Sequence, residues 1–238
     1  MIPSAGGENS HEESSREVSC GNRRVEKGGK LFSIFRLVEL QSDCVDRWHR
    51  ERIELDGNDD SWMRLGMANH EINFRLWHEE DLARDPEARD ETIAAIKRRI
   101  DALNQRRSHS IEAIDDAIAI WLDQHLGGLP PDVTIPMNTE TPGSTVDRLS
   151  ILSLRIFHLA EQAHRHDIDA TKRAEVTTSL ETAKRQRSNL VTSAAQLIDD
   201  LVAGKKRHLS FRQLKMYNDP ELNPMIYQRA SRTNNPKS

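Results

Sequence analysis

Two long seams of apolar residues, spaced alternately three and four apart, constrain this chain more than any other feature. The first reads Ile93, Ile96, Ile100, Leu103, Arg107, Ser110, Ile114, Ala117, Trp121; the second reads Val176, Leu180, Ala183, Arg187, Leu190, Ala194, Leu197, Leu201. That spacing lays one stripe along one side of an α-helix, and helices with such stripes bury them by packing nearly antiparallel. The seams predict helices over about 91–125, capped by Asp90, and about 169–203, closed by Gly204. Gly127-Gly128 with Pro130, Pro131 and Pro136 form the clear internal loop between them.

Each long helix has a shorter companion on its N-terminal side. Ser61 is read as the cap of a helix over about 62–84, which ends at Asp85-Pro86 because proline restricts the residue before it. Thr141 is read as the N-cap of a helix that starts at Pro142 and runs to about His164, with His166-Asp167 marking a turn. Upstream, Ile34/Phe35, Val38, Val45, Trp48 and Leu55 give a further helical spacing, interrupted by polar Gln41 and Ser42. No stretch alternates as a strand would. The expected fold is therefore all-α: an antiparallel helical bundle with a core of four long helices plus an N-terminal helix. The two hairpins resemble each other at an offset of 80 residues, with His78 falling on His158, Arg75 on Arg155 and Arg107 on Arg187. This is either an internal pseudo-repeat or the partial match that any two amphipathic hairpins show.

Residues 1–29 hold too little apolar surface to offset the entropy of ordering and are expected to be a disordered tail. Residues 30–218 are assigned to one helical-bundle domain and 219–238 to a C-terminal extension. A formal charge of -4, without a basic block, argues against nucleic acid as a partner. The mean hydropathy of -0.71 and the lack of a long apolar run argue against a membrane span. Two cysteines, Cys20 and Cys44, make no disulfide framework, and the N-terminus has no signal-peptide stretch, so the expected location is cytoplasmic.

The companion helices carry polar residues where a surface helix would not need aromatics beside them. On 62–84, Leu65, Ile72, Leu76 and Ala83 share one face, while His70, Asn73, Phe74, Trp77, Asp81 and Arg84 share another. On the Pro142 helix, Asp147, Ile151, Leu154, His158 and Glu161 lie across from the main apolar face, and Arg148 and Arg155 share a side. Arg107 and Arg187 interrupt the long seams, and a guanidinium at a core position needs a carboxylate or a bound anion; Asp81, Glu80 and Asp147 are the candidates for pairing. Thr141, Gly143 and Ser144 open a helix whose bared N–H groups could hold an anion, or could simply be capped. His78, Glu79, Glu80 and Asp81 are adjacent and point around their helix, and no H-E-x-x-H or paired Glu-x-x-His motif occurs, so no metal ligand is assigned and no cofactor is named.

Several strings carry a resemblance. Trp48-His49, the run from Asn73 to Asp81 (NFRLWHEED), Leu103-Asn104-Gln105-Arg106-Arg107, Glu140-Thr141-Pro142-Gly143 with Asp147–Leu152 (DRLSIL), and the tail from Phe211 to Pro224 resemble the bacterial domain of unknown function 4254 family over roughly residues 35–225. Members of that family often lie near glycosyltransferase genes, so the resemblance implies a role in surface polysaccharide or glycan metabolism. Where the family carries Asn-Asp after its central arginine this chain has Ser108-His109, and no role is carried onto those two positions.

Together these readings place His70, Asn73, Trp77, Asp81, Arg107, Thr141, Gly143, Asp147 and Arg148 in one expected polar cleft between helices. In it the arginines and the Pro142 helix start would hold an anionic small molecule of the phosphorylated-sugar or nucleotide-sugar class, with a carboxylate or histidine free for proton transfer. The tail at 211–224 is expected either to cover the cleft or to clasp a neighbouring subunit, which would make the protein a homo-oligomer. The alternative is a non-catalytic helical scaffold or adaptor, which would show exposed apolar patches instead. Whether the protein is an enzyme is left open by the residues.

Overall fold

The computed structural model describes residues 32–55, 61–127, 134–216 and 219–233. The expected tail at 1–29 lies outside these residues. Six α-helices and no β-strand occur among the described residues: α1 Ile34–Trp48, α2 Ser61–Leu82, α3 Asp90–Leu126, α4 Pro142–Ala163, α5 Ala170–Val202 and α6 Pro224–Thr233. The fold is an all-α bundle, as the seams require. No described helix is long and apolar enough to cross a membrane.

The helix ends follow their local chemistry. Ser33 caps α1 by accepting the Arg36 N–H, Thr141 caps α4 by accepting the Ser144 N–H with Pro142 at the first position, and Asp169 caps α5 by accepting the Lys172 N–H. Two caps fall one residue from expectation. Arg89, extended at φ -71° and ψ 152°, precedes α3, so Asp90 becomes a first-turn carboxylate favoured by the helix dipole. Ser61 likewise opens α2 from within. Gly127 at φ 73° and Gly204 at φ 68° end α3 and follow α5 in the left-handed region, where glycine carries no Cβ penalty.

The two hairpins α2–α3 and α4–α5 pack internally, and α2 and α4 also pack on each other. Helix α1 lies against α2, α4 and α5. One cluster of buried apolar residues draws on α1 to α5, including Leu37 and Val45 of α1, Met67 and Phe74 of α2, Ile114 and Ile118 of α3, Val146 and Leu149 of α4, and Leu197 and Leu201 of α5. A smaller cluster, Ile72, Leu76, Ile96, Ile100 and Leu103, seals the far end of the first hairpin. Helix α2 is thus covered on both of the faces distinguished in the sequence. Gly66 fixes the approach of α1, since a Cβ there would stand 2.8 Å from a Leu37 methyl.

Helix α1 differs from its sequence reading. Phe35 is exposed, and Gln41, read as an interruption, lies fully buried in the inward face with Leu37, Val38, Cys44 and Val45. Its side-chain amide has no hydrogen-bond partner among the described residues. The C-terminal extension also holds a helix, α6, that periodicity did not reveal.

Candidate functional site

Beside the apolar core, a network of hydrogen bonds joins α2, α3 and α4. Asp147 projects from α4, almost fully buried, and both its oxygens accept from Arg107 of α3: Nε to Oδ1 at 2.8 Å and Nη2 to Oδ2 at 2.6 Å. Oδ1 also accepts from Asn73 at 2.9 Å and from Asn69 at 3.1 Å. Charge and hydrogen bonds together answer the demand of a carboxylate taken out of water. Of the three carboxylates considered for Arg107, Asp147 is the partner, and the fork of bonds holds the guanidinium firmly in its charged form.

The network continues to His70, which is fully buried. Its Nε2 lies 2.9 Å from the Gln41 carbonyl oxygen, which only accepts, so Nε2 carries the proton and Nδ1 accepts from the Ser150 hydroxyl at 2.8 Å. Ser150 in turn accepts from Asn73 at 3.0 Å. Burial lowers the His70 pKa to about 3, the backbone bond opposing only in part. With both nitrogens engaged and no exposure, His70 is not free for proton transfer. It is a structural tie from α2 to α1 and α4, and the expectation that it lines a cleft is corrected accordingly.

Asn73, Trp77, Asp81 and Arg107 do meet at a cavity, of about 410 Å³, bounded also by Leu76, Glu80, Arg84, Asn104, Ile151 and Leu154. Its volume is that of a small-molecule site. Leu76, Ile151 and Leu154 give it an apolar side. Asn73, Asn104, Glu80 and Asp81 supply carboxamides and carboxylates. Arg107 is already neutralised by Asp147, and the ion pairs of Glu80 and Asp81 among the described residues are with Arg84, which also reaches back to the Glu80 carbonyl and lies 3.7 Å from each carboxylate.

The other expected residues lie elsewhere. Thr141 and Gly143 start α4 against α3, where the Gly143 N–H donates to Asp115 Oδ1 at 2.7 Å. The helix N-terminus expected to hold a bound anion already holds the protein's own carboxylate. Burial is the largest influence on Asp115 and raises its pKa, while bonds from Thr141 and Gly143 pull the other way. Arg148 is exposed and bonds both oxygens of Glu140 at 2.6 Å. Arg187 donates to the Ser42 hydroxyl at 2.9 Å, and partial burial lowers its pKa.

Arg155, which shares a side of α4 with Arg148, bears no ion pair among the described residues and stands where two grooves meet. One, of about 560 Å³, is lined by Trp77, His158, Gln162, Thr178, Thr182 and Gln186, among others; the second, of about 610 Å³, by Arg148, Ile151, Asn189 and Ser193, among others. Both run between α4 and α5 and share Arg155 and Gln186; neither is lined by a carboxylate. Trp77 belongs to the first groove and to the inter-helix cavity, and Ile151 to the second groove and that cavity, so the three hollows adjoin.

None of the described tail residues lines the cavity. Residues 208–215, which lead into and begin the tail, run along α3: His208 bonds the Asp115 carbonyl, Arg212 pairs with Asp116 and Glu112, and Lys215 donates to Ser108. Tyr217 and Asn218 of the tail string lie outside the described residues.

Beside Trp77, three histidines from three elements meet. His49 follows α1, His78 lies on α2 and His158 on α4, with ring centroids 5.0 Å (His49–His78), 5.1 Å (His49–His158) and 5.8 Å (His78–His158) apart. Phe157 stacks on His49 at 4.5 Å and Trp77 on His158 at 5.0 Å. Burial, then the facing His49 and His158, lower the His78 pKa, against the opposite pull of Asp81 and Glu161. Sequence spacing could not reveal this cluster, because its members are 29 and 80 residues apart (49 to 78, 78 to 158). The one signal was the alignment of His78 with His158 between the hairpins.

The chain belongs to the family described as protein of unknown function (DUF4254), which it matches over residues 64–209, more than half its length. The match bears out the resemblance read from the strings, and its interval contains Asn73, Trp77, Asp81, Arg107, Asp147 and Arg155. No curated protein and no solved structure matches the chain.

Proposed function

We propose that this protein binds a sugar bearing an anionic group, of the phosphorylated-sugar or nucleotide-sugar class, with the sugar in the cavity beside Trp77 and the anion over Arg155. The observation that carries this reading is the junction of two unlike hollows. The cavity offers carboxylates and carboxamides that pair with hydroxyls, and an apolar side that suits the C–H face of a sugar ring. Its own charge leans negative, because Arg107 is neutralised, so an anion is repelled from its interior. The adjoining grooves offer the reverse: the unpaired guanidinium of Arg155, hydroxyls and carboxamides, and no carboxylate. A ligand with a neutral polyhydroxyl end and an anionic end satisfies both.

A cytoplasmic place of action and a role in glycan metabolism belong to the same proposal. The second rests on the family resemblance, the first on the sequence. The test is a thermal-shift series with glucose 1-phosphate and uridine diphosphate glucose against glucose and inorganic phosphate. Stabilisation by the two conjugates, lost in Arg155→Ala and reduced in Asp81→Asn, is the expected result. Equal shifts from phosphate alone, or equal shifts in both variants, refute it.

A second reading, that the chain is an assembly module, is favoured by one observation. Leu209, Phe211, Leu214, Met216, Leu222, Met225 and Ile226 are all exposed, Leu214 at 86%. A run of large apolar side chains this dense in one segment marks an association surface. Sedimentation of the full chain against Leu214→Ser/Met216→Ser tests it, with a drop in mass expected if the tail joins copies.

A further inference from the structure

We propose that His49, His78 and His158 form a three-histidine site for a divalent transition-metal ion of the zinc type. The inference is independent of the sugar-binding reading. One ligand-capable atom from each residue lies within 4.8 Å of the others. Zinc–nitrogen bonds of about 2.0–2.1 Å at tetrahedral angles put ligand nitrogens about 3.4 Å apart, so each imidazole closes on a common centre by moving less than about 1 Å. The ring positions agree: with a ring radius of about 1.1 Å, imidazoles on one tetrahedral ion have centroids about 5.2 Å apart, against 5.0, 5.1 and 5.8 Å here. The ring planes cross at 78°, 76° and 86°, so the three do not stack on one another.

The hydrogen bonds fix which nitrogens are available. His49 Nδ1 lies 2.6 Å from the Val45 carbonyl oxygen, an acceptor only, so it carries the proton and leaves the Nε2 lone pair free. His158 Nδ1 is 2.8 Å from a Glu161 carboxylate oxygen, and His158 Nε2 is buried with no hydrogen-bond partner among the described residues. A carboxylate on the far nitrogen of a histidine is how metal-binding imidazoles are oriented and made more basic. A buried imidazole nitrogen without a partner is a cost that a metal bond removes. Phe157, Phe74 and Trp77 pack on the rings and hold their rotamers. Three imidazoles leave one tetrahedral position for water or another donor, and imidazole ligands suit zinc, copper, iron and nickel rather than magnesium or calcium.

The test is titration of chelator-treated full-length protein with Co²⁺, read by its visible d–d absorption, followed by displacement with Zn²⁺. The wild type is expected to take one equivalent. His49→Gln, at an exposed position, is expected to bind at least about tenfold more weakly, and Glu161→Gln about 10–100-fold more weakly, with circular dichroism unchanged. His166→Gln, at an exposed position outside the cluster, is expected to bind as the wild type does. No saturable binding by the wild type, or wild-type affinity in His49→Gln, overturns the proposal; if His49→Gln fails to fold, wild-type affinity in Glu161→Gln overturns it.

Discussion

Replacing Asp147 by Asn keeps the shape of the side chain and removes its charge, which isolates what the buried ion pair contributes. The aspartate accepts four hydrogen bonds, two from Arg107 and one each from Asn69 and Asn73, with its side chain 5% exposed. An asparagine presents one oxygen and one NH2 group, itself a donor, to four donors, and it leaves the Arg107 guanidinium without a counter-charge. Breaking a buried pair in this way costs about 3–5 kcal/mol. Arg107 retains 29% side-chain exposure, which lets water recover part of the loss, and the expected cost is therefore at the low end, about 3 kcal/mol. For a chain of this size that corresponds to a fall of roughly 6–12 °C in Tm. Urea denaturation at pH 7 measures it as a lower midpoint with unchanged slope. The pair reading adds a second requirement: Asp147→Asn with Arg107→Met is expected to be less destabilised than the sum of the single variants, because no unpaired guanidinium remains. A loss under about 1 kcal/mol, or additivity of the two changes, would refute the argument.

Acid is expected to weaken the fold through His70. The unfolded chain takes up a proton near pH 6.5 that the folded chain refuses down to about pH 3, so stability falls as pH drops through that window by up to about 1.4 kcal/mol per unit. Urea midpoints between pH 7 and 4.5 are expected to fall more steeply in the wild type than in His70→Gln, and equal slopes contradict this. Gln41→Leu removes a fully buried amide that has no partner among the described residues and is expected to raise stability by about 1 kcal/mol; a loss on calorimetry contradicts it. Gly143→Ala would drive a Cβ into the Ile111 carbonyl oxygen and to 2.9 Å from Asp115 Oδ1, at a cost of about 1–3 kcal/mol. Its Tm is expected to fall, and an unchanged Tm would mean that α3 and α4 are not held as closely as described.

The helices were legible because their apolar seams and caps are local. Thr141-Pro142 marks the start of α4 and Gly204 follows the end of α5 for reasons contained within a few residues. The site was legible only in part. Asn73, Trp77, Asp81 and Arg107 could be placed together because helical geometry puts three of them on one face of α2 and a core arginine demands a carboxylate. The rest depended on contacts between elements far apart in sequence. Thr141 and Gly143 read alike as an anion-holding helix start or a simply capped one, because Asp115, which fills it, lies on another helix. Arg148 and Arg155 share a side of α4, and only the position of Glu140 separates the paired arginine from the unpaired one. Gln41 looked like a break in an apolar stripe because nothing local reveals that α1 is covered there by three other helices.

The central claim, a sugar held beside Trp77 with its anion over Arg155, is tested most directly by calorimetric titration of glucose 1-phosphate and glucose into wild type, Arg155→Ala and Asp81→Asn. The account predicts that the phosphate ester binds the wild type at one site and glucose far more weakly. Arg155→Ala should reduce the preference for the ester at least about tenfold, as expected for one charge-assisted contact, while Asp81→Asn weakens both ligands alike. Binding of the ester that is unchanged in both variants, or no heat of binding by the wild type with either ligand, would contradict it.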